Sequence, residues 1–199
     1  MNKVHPAFST PIFKDVINLN KDILNPVLKK MPFKRIDTDD RFHSEDYKVL
    51  DNDLMFLKNR ILQKVDEYAY DVLGFANRHK IKITDSWVMK HFSGDGSEMH
   101  WHPNSIISGC LYLQTDPQSG NICFFREQSM FNDVLDFEII ENNINAKEVQ
   151  VTPTDGMILL FPSTTKHGVN PSRSEVPRFC LAFNTWIEGD LDPPFRGKK

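Results

Sequence analysis

His100 and His102 stand two residues apart in EMHWHPNS, and His167 follows in GMILLFPSTTKHGVN. Imidazole nitrogens are good donors for divalent transition metals. Successive residues of a strand point to opposite faces, so an HxH pair sends both rings one way and Trp101 the other. A pair alone is equally consistent with two buried, hydrogen-bonded rings. The sequence carries two longer patterns, Gly-x5-His-x-His at Gly94, His100 and His102, and Gly-x5-Pro-x4-His at Gly156, Pro162 and His167. Neither pattern is decisive singly, and the two in this order are a fairly specific sign of a metal site.

A charge that could serve the same site lies at Arg178, which opens RFCLAFNTWI. Even positions there (Arg178, Cys180, Ala182, Asn184, Trp186) suit the wall of a cavity, and odd ones (Phe179, Leu181, Phe183, Thr185, Ile187) suit packing on helices. An arginine turned into a closed core must meet an anion, because an unpaired buried charge is very costly. Its planar fork matches a carboxylate.

The elements that must position these residues are mostly strands. From Thr84 onward come TDSWVMKHF, SIISGCLYLQ, NICFF, VLDFEIIE, KEVQVT, MILLF and RFCLAFNTWI, separated by DPQSG, NNINA and PTDG. Short strands at regular spacing predict an antiparallel barrel or sandwich. A double-stranded β-helix sets the two histidine segments on neighbouring strands at the barrel mouth. The N-terminal third reads as a strand at 8–17, a short helix over 21–30 and one amphipathic helix from an Asp51 cap to a Gly74 stop. Its stripe is Leu54, Leu57, Ile61, Val65, Tyr68 and Val72.

With 199 residues, 40% of them hydrophobic, the chain has room for one well-filled core. A net charge of −3 gives no bulk attraction to nucleic acid or anionic membranes. No apolar run is long enough to span a membrane, and the N-terminus lacks a signal-peptide core. Cys110, Cys123 and Cys180 sit in apolar runs without CxxC spacing, which suits reduced core thiols in a cytoplasmic protein. There is no Ser-His-Asp ordering and no phosphate-cradling glycine loop. His5, His43 and His79 are expected to be solvated, and FHSED an exposed loop.

The stretches HWHPNSIISGCLYL, GMILLFPSTTKHGV and VPRFCLAFNTW resemble the 2-oxoglutarate/Fe(II)-dependent oxygenases. More closely they resemble a subfamily from bacteria and marine phages with an HxHPNSxxSG motif. The resemblance is good over 86–187 and weaker over the N-terminal third. It implies a mainly β protein: a double-stranded β-helix (jelly-roll, cupin-like) core with N-terminal helices on its outer face. It further implies one oxygenase-like domain over 1–199, with an N-terminal part at 1–83 and the core at 84–190. Fe(II) and 2-oxoglutarate are the implied cofactors, and decarboxylation of the keto acid coupled to C–H hydroxylation the implied reaction. The substrate is unidentified and could be a protein or peptide, a prolyl side chain among the options. By the same resemblance the protein acts in a cytoplasm, a host's if phage-encoded.

Carried over by position, His100 and His167 are iron ligands and Arg178 holds the far carboxylate of 2-oxoglutarate. The family's second ligand is a carboxylate, and His102 occupies its place. Three ligand sets stay open: all three histidines; His102 with Asn104 two residues on; or Glu98 supplying an oxygen. Tyr112 and Ser108 share parity with His102 if the strand continues past Pro103, and could then hydrogen-bond the keto acid. Asn184 could line the pocket, and His91 is a candidate supporting group. Specificity would lie in loops such as Glu127–Asp133 and Asn170–Val176. Two other readings are a cupin-like three-histidine dioxygenase without keto acid and a non-catalytic ligand-binding module.

Overall fold

The alternation of the second half of the chain becomes two antiparallel sheets laid face to face. The computed structural model describes residues 9–35, 41–127, 138, 140, 142 and 145–189. In chain order the elements are β1 (Phe13–Val16), α1 (Lys21–Lys30), β2 (Phe33–Arg35), β3 (Phe42–Ser44) and α2 (Met55–Asp66), which runs on into a π-helical segment (Glu67–Val72). Then follow β4 (Lys80–His91), β5 (Ser97–His100), β6 (Ile107–Gln114), β7 (Ile122–Phe125), β8 (Glu148–Val151), β9 (Met157–Pro162), β10 (His167–Val169) and β11 (Arg178–Glu188). One sheet has the order β1-β9-β6-β11-β4-β3-β2, and the smaller one β5-β10-β7-β8. This is the mainly β, jelly-roll-like fold that the strand pattern predicted.

The larger sheet has a helix face and a cavity face. Leu57, Ile61, Val65 and Tyr68 of the helical layer share one apolar core with Val88, Leu111, Leu181 and Phe183 of the sheet. Between the two sheets lies a second cluster that includes Tyr112, Phe124, Leu159 and Phe161. β11 serves both through its period of two: Leu181 and Phe183 are fully buried on the helix side, while Cys180 and Asn184 line the cavity between the sheets. Gly109 of β6 belongs to this packing, since a Cβ there would stand 2.3 Å from the Phe183 ring and 2.6 Å from Leu160.

Several expectations need correcting. The long helix starts at Met55, not at an Asp51 cap, and Asp51 instead pairs with Lys58. Val72 leaves the stripe and is exposed, because the wider π turn over Glu67–Val72 rotates it off the buried face. Gly74 ends the segment with a φ of +71°, a conformation that costs glycine little. The N-terminal third is also more than a helical cover: β1 joins β9, and β2 and β3 extend the sheet beyond β4. FHSED is not an exposed loop. It supplies β3 and buries His43, whose Nδ1–H donates to the Ser44 carbonyl at 2.9 Å while the Tyr47 hydroxyl donates to Nε2 at 3.3 Å. A three-residue strand is too short to show a period. His79 is half-buried. His5 and most of the strand expected at VLDFEIIE lie outside the described residues.

The three cysteines are buried and unpaired. Among the described residues no helix is long and apolar enough to cross a membrane.

Candidate active site

β5 and β10 are hydrogen-bonded neighbours with His100 directly opposite His167, so these two rings start from adjacent strands. His102 reaches them by a different route. β5 ends at His100, and the His102 amide then donates to the Ser163 carbonyl at 2.9 Å, which folds the chain back toward β9. A turn at Pro103 and Asn104 follows, with Asn104 at a φ of +57°. Ring centroids are 4.4 Å apart for His100 and His167, 5.0 Å for His102 and His167, and 5.3 Å for His100 and His102. One nitrogen of each ring lies within 4.8 Å of the other two.

The hydrogen bonds decide which nitrogens these are. His100 Nδ1 faces the Glu98 carbonyl at 2.8 Å, and His167 Nδ1 faces the Thr165 carbonyl at 2.9 Å. His102 Nδ1 faces Asn184 Oδ1 at 2.8 Å. A carbonyl oxygen only accepts, so each proton sits on Nδ1 and each Nε2 keeps its lone pair. Burial pushes His167 down to about 3 and lowers His102 as well. Three neutral imidazoles with free lone pairs are what a divalent ion requires of its ligands. The donor set therefore fits Fe(II).

Neither alternative oxygen ligand joins this group. Glu98 and Asn104 are both exposed. Among the described residues the cluster contains histidines alone and no carboxylate.

Further along the cavity the chemistry reverses. Arg178 is 2% exposed. Its Nη1 donates to the carbonyls of Ser119 at 3.0 Å and Gly120 at 3.2 Å, and its Nη2 donates to His91 Nδ1. His91 is its cross-strand partner on β4. Burial first, then the charges of Arg178 and Arg41, push His91 down to about 2. The neutral ring accepts at Nδ1 and so carries its proton on Nε2. Both that Nε2 and Arg178 Nε are buried without a partner. Orphaned buried donors are rare in folded proteins and each calls for an acceptor. Arg178 and His91 line, with the three histidines and Tyr112, one cavity of about 420 Å³. A small carboxylate fits that end.

The remaining sequence candidates sort by what they touch. The strand does not run unbroken past Pro103, so the parity linking His102 to Ser108 and Tyr112 fails. Tyr112 still lines the cavity through the alternation of β6 itself, together with Cys110. Ser108 is not among the residues that line the cavity. Its hydroxyl lies 3.0 Å from His102 Nδ1, 2.8 Å from Asn184 Oδ1 and 2.8 Å from Ser163 Oγ, behind the histidine. Asn184 lines the cavity, but its amide is committed: Oδ1 to His102 and Nδ2 to Asp85 Oδ2 at 2.8 Å.

Sequence reasoning missed Asp85, Trp87 and Met89 of β4, as well as Tyr47. Trp87 and Met89 alternate with His91 along one face of TDSWVMKH and line the cavity. That period was readable. Tyr47 and Trp87, with ring centroids 6.0 Å apart, continue the wall outward from His102. Of the loops expected to govern specificity, Asn170–Val176 is described and all but Glu127 of Glu127–Asp133 is not.

Solved structures with the same architecture include HygX from Streptomyces hygroscopicus with nickel, 2-oxoglutarate and hygromycin B bound. It is 11% identical with a TM-score of 0.61, over 88% of this chain and 82% of that one. Another is the non-heme alpha ketoglutarate dependent epimerase SnoN from nogalamycin biosynthesis, at 12% identity and a TM-score of 0.61, over 96% and 87%. A Pseudomonas putida prolyl-4-hydroxylase gives 13% and 0.57, over 91% and 94%. At these identities the likeness is one of fold. No curated protein matches the chain. The family model described as "Putative 2OG-Fe(II) oxygenase" matches residues 85–184, half of the chain, from Asp85 of β4 to Asn184 of β11. That stretch holds both the nitrogen cluster and the buried arginine, and by it the chain belongs to the 2OG-Fe(II) oxygenase family.

Proposed function

We propose that His100, His102 and His167 hold the Fe(II), that Arg178 and His91 receive the far carboxylate of 2-oxoglutarate, and that the substrate enters past Tyr47 and Trp87. One observation supports this above the others: a single cavity has three free nitrogen lone pairs at one place and two unmatched buried N–H groups at another. A molecule with a metal-chelating head and an anionic tail meets both needs at once. When bound, Fe(II) and 2-oxoglutarate would supply the oxidising chemistry with dioxygen as the oxidant, one oxygen atom passing into succinate as the keto acid loses carbon dioxide and the other into the hydroxylated C–H bond. The chain's own residues bind, orient and exclude water. His100 and His167 are aimed by main-chain carbonyls of their own segments, so their lone pairs need no rearrangement on loading. Arg178, fixed by two carbonyls and His91, offers a preset direction to a carboxylate. Tyr112 flanks the keto acid, burial keeping its hydroxyl protonated.

In this reading residues 1–199 form one oxygenase domain, with 84–190 as its core and 1–83 as its N-terminal strand and helical part. The HxHPNSxxSG stretch supports membership of the bacterial and phage subfamily, and the unpaired cysteines support work in a cytoplasm. The substrate is a small molecule or a peptide side chain that passes the wall formed by Tyr47 and Trp87.

The test is an anaerobic titration of metal-free protein with Fe(II) and then 2-oxoglutarate. A visible charge-transfer band that saturates near one equivalent is expected. Iron binding without a band points to a cupin-like dioxygenase that uses no keto acid, and no iron binding overturns the proposal.

A further inference from the structure

Each of the three histidines needs its Nδ1 proton held, and one is served differently from the others. His100 and His167 donate to carbonyls two residues upstream on their own chain segment. His102 donates to a side chain, Asn184, which could in principle turn its amide either way. Asp85 removes the choice. A carboxylate only accepts, so the end of Asn184 that meets Asp85 Oδ2 must be Nδ2, and the end that meets His102 must be Oδ1. Asp85 is itself oriented, with its other oxygen accepting from the Thr84 hydroxyl at 2.6 Å.

We infer that Asp85 and Asn184 are positioning residues for the metal site: a relay from carboxylate to amide to imidazole that fixes His102 with Nε2 free. This inference rests on the reading of His102 as a metal ligand. The relay also returns the missing charge. The family's usual ligand set includes a carboxylate; here three neutral rings hold the ion and the nearest relayed carboxylate stands behind His102, one amide away. Outer partners of this kind tune ligand basicity and orientation, and losing one typically weakens metal binding about 10- to 100-fold.

The architecture supports the pairing. Asn184 and Asp85 are cross-strand partners, and the register between β11 and β4 breaks immediately after them, Thr185 facing Ile83. The extra residue is Thr84, whose hydroxyl holds Asp85. A bulge beside a functional site re-aims a side chain, and this one turns Asp85 toward Asn184.

The experiment compares wild type with Asp85→Asn, Asn184→Asp and the swapped double variant D85N/N184D. Fe(II) alone is titrated anaerobically by calorimetry. Histidine tautomers are read separately in the metal-free proteins by long-range nitrogen–proton NMR. Each single variant should lose about 10- to 100-fold in Fe(II) affinity, Asp85→Asn through amide reversal and Asn184→Asp through two carboxylates in contact. The swap keeps one carboxylate and one amide in the line and should restore affinity to within a few-fold of wild type. His102 should be protonated at Nδ1 in wild type and the swap, and lose that preference in Asp85→Asn. Unchanged affinity and tautomer in the single variants overturns the relay, as does a swap no better than either. A wild type that binds no Fe(II) while Asp85→Asn alters the tautomer sinks the metal reading and leaves the relay standing.

Discussion

At the histidine end of the cavity every Nδ1 has an oxygen to donate to, and what remains is a set of lone pairs. At the arginine end the acceptors run out first, and Arg178 Nε and His91 Nε2 keep protons with nowhere to go. The histidine end is carried by β5 and β10 of the smaller sheet and the arginine end by β4 and β11 of the larger one. Arg178, His91 and His167 are buried where His100 and His102 are half-buried. The difference lies in which half of the hydrogen-bond inventory is left over. A surplus of lone pairs asks for a cation and a surplus of N–H groups asks for an anion. A site can thus declare a two-headed ligand by what its residues leave unmatched.

The largest expected break comes from His167→Ala. It removes a ligand outright, and Fe(II) affinity should fall by more than the roughly 10- to 100-fold that loss of an outer partner costs. Calorimetry of the metal-free protein checks this. Arg178→Gln should leave Fe(II) affinity as it was and raise the KM for 2-oxoglutarate by about 100-fold, the scale of losing one partner of a buried charge pair. If both parameters move together, the two ends are not separable.

Acid separates the ends less sharply. His91 and His167 are pushed to about 2 and about 3, below the ordinary value of about 6.5. The folded protein therefore refuses protons that the unfolded chain accepts. The stability they lend is complete above pH 6.5 and drains away as pH falls from there toward 3. Between pH 6.5 and 5.5 each should cost about 1 kcal/mol, visible as a lower urea midpoint of the metal-free protein. The smallest effect belongs to His91→Phe, which deletes one unmatched donor together with the acceptor of Arg178 Nη2. It should raise the KM for 2-oxoglutarate about tenfold, near the 1.5 kcal/mol of a single hydrogen bond, with Fe(II) affinity untouched.

Much of this was legible in the sequence, for a physical reason. α1 was readable at Lys21–Lys30 and β11 at Arg178–Glu188 because each obeys a period set by its own backbone. His100, His102 and His167 were readable because metal chemistry restricts residue type and spacing. What could not be read depends on register. That Asp85 faces Asn184 follows from the alignment of β4 with β11, which neither strand specifies by itself. β2 and β3 were missed because three residues hold too little of any period. His102 joins the cluster for a reason other than strand parity: the chain leaves β5 at His100 and is pulled round by Ser163.

The placement of β5 has a mechanical consequence. It is a four-residue strand at the rim of the smaller sheet, held to the body through β10 with a break in register after His167. Such rims open readily, and once open they present unpaired main chain to other molecules. An ion gripped by His100 and His167 ties the rim to its neighbour a second time, as a clasp ties a hem. On the proposed ligand set chelation would then act on self-association as well as chemistry: the ion in place would hold this border closed, and metal-stripped protein would open there first.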